Sequence, residues 1–105
     1  MKVVFHEDFY PVYTSDPAAA SGRMEAIVET IEPHVEFVPA ETAFRHQIAA
    51  VHTEMHIQNV ENRGLYEVAA LAAGGAVQAA QIGLSEPCFG LIRPPGHHAS
   101  AASAW

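Results

Sequence analysis

Cysteine occurs only once, at Cys88, which rules out an internal disulfide and a thiolate zinc site of the finger type. Basic residues are also scarce. Five Lys and Arg stand against twelve Asp and Glu, for a formal charge of −7. No basic cluster exists that would displace counterions from a phosphate backbone, so no direct nucleic-acid contact is expected. Long hydrophobic runs are absent: Val3-Val4-Phe5 is cut short by His6-Glu7-Asp8, too brief for a signal-peptide core or a membrane span, and no membrane partner is expected. Internal repeats and low-complexity tracts are lacking as well. What remains is half apolar and only 16% charged, the balance of one compact domain over residues 1–105. The single cysteine suits a reducing cytoplasm. The acidic surface suits a small cationic ligand, although acidity also serves solubility alone.

Apolar residues recur in an order of short strands and helices. Lys2 to Phe5 is β-branched and short, a first strand leading into a polar loop at Glu7 to Ala20. Met24, Ile27, Val28 and Ile31 repeat at i, i+3, i+4, i+7 after Ser21, the expected N-cap, and before Pro33, which predicts an amphipathic helix. Val35 to Val38 is a second strand ended by Pro39. Strand, helix and strand in that order imply a parallel pair joined by a right-handed crossover. Phe44, Ile48 and Val51 predict a second helix from about Glu41, and Met55, His56, Asn59 and Val60 a third ending near Gly64. The longest helix is predicted over Leu65 to Gly83. Its Gly74-Gly75 pair implies either very close packing or a kink, because each glycine costs about 1 kcal/mol of helix propensity. Cys88 to Ile92 then reads as a strand buried on both faces, and the whole as an α/β layered fold.

Arg93-Pro94-Pro95-Gly96 stops that strand, and His97-His98 follow at once. In parallel α/β sheets the ligand crevice forms outside the carboxyl ends of the strands. A rigid Pro-Pro-Gly platform there would aim an imidazole, the natural general base near neutral pH. Taken without its context, a His-His pair is a polar loop. His52 and His56 are four apart, the spacing of two-histidine zinc sites on a helix. The intervening Thr53-Glu54-Met55 does not match the zincin order, in which glutamate follows the first histidine directly. A packed or capping His52 and a solvated His56 are the plainer readings. His6 and Asp8 follow the first strand and could border the same crevice, a polar loop being the simpler account; His34 and His46 carry no functional argument. Cys88 is read as a buried, inert thiol rather than a nucleophile. Tyr10 and Trp105 are candidates for lining a substrate tunnel.

The string Leu91-Ile92-Arg93-Pro94-Pro95-Gly96-His97-His98-Ala99 resembles the tandem-histidine motif of the histone deacetylase and acetylpolyamine amidohydrolase superfamily. Asp16-Pro17 with Gly22-Arg23-Met24-Glu25-Ala26-Ile27 is similar to the family's first helix, and Val51-His52-Thr53 to its short helical signature. Tyr66 followed by Ala72-Ala73-Gly74-Gly75-Ala76 is similar to its glycine-containing helix, and the order of all four segments also matches. The resemblance implies the N-terminal part of a three-layer, parallel-sheet, arginase/deacetylase-like fold, with about three strands and four helices. It also implies hydrolysis of an acyl amide by zinc-bound water, with His97 and His98 as the catalytic proton-transfer pair. Arg23 matches an arginine that in relatives lies near an internal channel beside the site; a helix-surface ion pair is the other reading.

In that family the zinc ligands, two aspartates and a histidine, lie downstream of the histidine pair, as does a tyrosine that steadies the oxyanion, whereas this sequence ends at Trp105. The expectation is therefore a partial domain, truncated after the tandem histidines and inactive alone. Zinc belongs to the complete fold, and no metal ligand is assigned in this chain. An uncovered sheet edge predicts a homo-oligomer, or association with the C-terminal part of the same fold. A non-catalytic interaction module that keeps the half-fold is the alternative, and a histidine metal site assembled between subunits is a third. The substrate class stays open among acetyl-lysine, acetylpolyamine and other small acyl amides, the acidity favouring a cationic one.

Overall fold

The structure is a computed structural model and describes residues 1–103, so Trp105 lies outside the described residues. Three strands, β1 (Lys2–Phe5), β2 (Glu36–Pro39) and β3 (Cys88–Gly90), form a parallel sheet in the order β2-β1-β3. Four helices accompany them: α1 (Arg23–Ile31), α2 (Arg45–Ala49), α3 (Glu54–Asn62) and α4 (Tyr66–Gly83). The central strand is the most apolar stretch of the sheet, and Val3 and Val4 are both fully buried. Side chains alternate across a strand, so these two valines serve opposite faces. Val4 approaches Gly75 of α4. On the other face Val3 is in register with Phe37 and Phe89, and the Phe5 ring meets those of Tyr10 and Phe37. The apolar side of α1 joins the core through Met24, with Ile27, Val28 and Ile31 packed around it.

Helix α4 runs without interruption through its glycine pair, and close packing rather than a kink explains that pair. A Cβ on Gly74 would lie 1.8 Å from the Glu41 carbonyl oxygen and 2.5 Å from the Ala43 nitrogen. Backbone thus lies directly on backbone. The Ala43 N–H donates to the Ala70 carbonyl at 3.0 Å, and the Gln78 side chain donates to Pro39 O at 3.0 Å while accepting from Glu41 N–H at 3.1 Å. These bonds hold residues 39–43 across the helix, satisfying backbone groups that strand and helix leave unpaired.

The same contacts explain why α2 starts at Arg45 and not near Glu41: residues 41–43 are already bound to α4 and cannot coil. The N-cap of α1 is Gly22 at φ 82°, not Ser21. Strand β3 is shorter than expected and is not buried on both faces. Gly90 faces α4, with Ala79 3.5 Å from where a Cβ would stand, but Phe89 on the opposite face is 54% exposed and Cys88 only half-buried. β3 pairs with β1 alone among the described residues, so one of its edges is open. None of the described helices is long and apolar enough to cross a membrane.

Candidate functional site

After Gly90 the chain remains tied to the sheet by the Leu91 N–H, which donates to Val4 O at 2.9 Å. Two residues later Arg93 turns inward and is only 2% exposed. Its Nε donates to Phe9 O at 3.0 Å, Nη2 to Tyr10 O at 2.6 Å and Pro11 O at 3.3 Å, and Nη1 to Ala20 O at 3.5 Å. Gly96 takes φ 65°, a left-handed conformation that favours glycine, and its carbonyl accepts from Ala99 N–H at 2.9 Å. That turn presents His97 and His98 outward from the carboxyl end of β3.

The two exposed rings lie with centroids 4.1 Å apart, inclined at 54°. They line an open groove of about 850 Å³ whose walls also include Tyr13, Asp16, His52 and His56. The sequence offered no reason to join the two histidine pairs; the tertiary structure places both on one groove. His52 and His56 have ring centroids 4.9 Å apart. His52 precedes α3, whose N-cap is Thr53, accepting from His56 N–H at 3.2 Å, and its Nδ1 lies 3.3 Å from Ala101 O. The Thr53 N–H donates to the same carbonyl at 2.9 Å, fastening the segment after His98 onto the start of α3. His56, expected at a solvated position, is half-buried. Burial, followed by the neighbouring His52 and Arg63, holds its imidazole below the usual histidine range and favours the neutral ring. Among the described residues no three or more His, Cys, Asp or Glu side chains converge as a metal site. The described residues therefore do not supply the complete zinc ligand set that the family resemblance implies.

His6 and Asp8 line a different groove, of about 780 Å³, with Tyr13 and Arg93. His6 Nδ1 accepts from Asp8 N–H at 3.0 Å and caps the short turn after β1. Tyr10 packs on Phe5, 5.1 Å between centroids. Arg23 is exposed as the first residue of α1, its Nη1 3.5 Å from Ala18 O, and is not among the residues lining the histidine groove. Arg93 was not singled out from sequence except as a letter of the motif. A cation at the end of a strand is ordinarily exposed, so the burial of Arg93 carries no local signal; its carbonyl partners lie more than seventy residues away in sequence.

No protein-family model matches the chain. A probable deacetylase of Archaeoglobus fulgidus is 31% identical over an alignment covering 92% of this chain and 34% of that protein. A probable deacetylase of Methanothermobacter thermautotrophicus is 32% identical, covering 93% and 36%. The chain thus spans about a third of the length of these relatives. Among solved structures the HDA15 HD domain superposes with a TM-score of 0.78 at 24% identity, over 100% of this chain and 39% of that one, a likeness of fold. Parallel sheet, helix order and relatives agree in supporting a histone deacetylase-like superfamily, whose N-terminal portion this chain matches.

Proposed function

We propose that this chain contributes the tandem-histidine half of an acyl-amide deacylase site. The observation that carries the reading is the placement of the His97 and His98 rings, 4.1 Å apart, on a groove of about 850 Å³ at the carboxyl end of β3. A neutral imidazole there accepts a proton from the attacking water; the protonated imidazole returns one to the amine nitrogen as the C–N bond breaks. The family resemblance supplies zinc for the complete fold, and its ligands would have to come from outside the described residues. The isolated chain is therefore inactive in this reading. Asp16 in the groove wall and the net charge of −7 support a small cationic acyl amide as substrate, and the lone cysteine supports a cytoplasmic setting.

A second reading, an oligomeric interaction module without catalysis, is favoured by the open edge of β3, where Phe89 is 54% exposed. The test has two arms. Purified chain is assayed on acetyl-lysine amide with and without zinc, with His97→Ala as control, and histidine ring signals are followed by NMR as the same amide is added. Expected are no turnover and a ligand-dependent shift at His97 and His98. Zinc-dependent turnover lost in the variant overturns the incomplete-site reading, and ring signals indifferent to the amide overturn the substrate-site reading.

A further inference from the structure

Resting on the reading of His97 and His98 as the proton-transfer pair, we infer that Arg93 is the positioning residue of this site, locking the histidine turn to the loop after β1. Four backbone carbonyls, of Phe9, Tyr10, Pro11 and Ala20, receive its side chain within 2.6 to 3.5 Å, and it is 2% exposed. Among the described residues no carboxylate lies within ion-pair distance of it. Carbonyl dipoles therefore compensate the buried cation, three of them on consecutive residues where a 3-10 turn ends and leaves its oxygens free. The Tyr13 ring lies 5.9 Å from the guanidinium carbon and also walls the histidine groove.

The geometry requires a planar fork. Nε and both terminal nitrogens donate in different directions, whereas the ammonium of a lysine is a single point charge. Covalently, Arg93 is joined to His97 through Pro94, Pro95 and Gly96, a short and conformationally restricted link. The loop carrying Tyr13 and Asp16 and the turn carrying the histidines are otherwise separate walls of one groove. Arg93 sets the distance between them. Its removal should release the histidine turn while the sheet, held by β1 pairing and by α4, stays formed.

NMR of the 105-residue chain tests this without requiring turnover, so the failure of the inference is distinct from the failure of the catalytic reading. Wild type, Arg93→Lys and Arg93→Met are compared through the nuclear Overhauser contact between the His97 and His98 rings, and through exchange protection of the Val3, Val4 and Leu91 amides. The expected result is protected sheet amides in wild type and Arg93→Lys, with loss of the inter-ring contact in both variants. An intact contact in Arg93→Lys overturns the inference. Collapse of the sheet amides in Arg93→Lys also overturns it, because Arg93 would then be a general structural residue. Wild type provides a measurement independent of folding: the Arg93 Nε–H and Nη–H signals should exchange slowly and appear separately, and a freely rotating, averaged guanidinium would sink the inference.

Discussion

At the scale of single residues, the candidate site is built from side chains whose environments differ sharply within a few positions. His97 and His98 are exposed, Arg93 is buried, and His56 is half-buried against His52. The sign of the His56 shift sets a pH dependence. With its folded value below the unfolded one, near 6.5, the folded state binds fewer protons. Stability from this group is then fully present above about pH 6.5 and is lost as pH falls through the lower folded value. Urea midpoints should drop between pH 7 and pH 5.5, and His56→Gln should flatten that slope; an unchanged slope would place the effect elsewhere.

At the scale of elements, α4 organises the molecule because small residues let both backbone and sheet come close to it. Gly74→Ala would drive a methyl group into the Glu41 carbonyl, a clash with backbone that cannot swing away. We expect a loss of about 3 kcal/mol, which for a domain of this size lowers Tm by on the order of 10–20 °C. Gly83→Ala is the matched control. Nothing lies within 4 Å of its added methyl, and its φ is not left-handed. There the change should be neutral or stabilising by up to about 1 kcal/mol, and thermal unfolding followed by circular dichroism would read both variants. The same scale explains the shifted start of α2. Propensity and apolar spacing extend a helix back to Glu41, but two hydrogen bonds to α4, at Glu41 and Ala43, outcompete coiling.

At the scale of the whole molecule, the sheet has three strands and its β3 edge carries Phe89 at 54% exposure, while Leu84 just before the strand is 89% exposed. An open edge with apolar neighbours is a template for further pairing. Phe89→Lys should therefore lower the mass seen in light scattering at micromolar concentration, and a wild-type chain that is strictly monomeric would remove the basis for the interaction-module reading.

Much of this protein follows from local pattern. The three- and four-residue spacings of Met24, Ile27, Val28 and Ile31, the β-branched start at Val3 and Val4, and the Pro-Pro-Gly brake before His97 locate elements and the candidate pair because periodicity and backbone stiffness are properties of short segments. The order of those elements also carries the parallel α/β class. Only the tertiary structure decided that β3 is an edge, that Gly74 exists to let a backbone pass, and that His52 and His56 share a groove with His97 and His98. It alone found four carbonyls for Arg93. Each of these depends on which segments, tens of residues apart in sequence, the core brings into contact, and neither spacing nor propensity carries that distance.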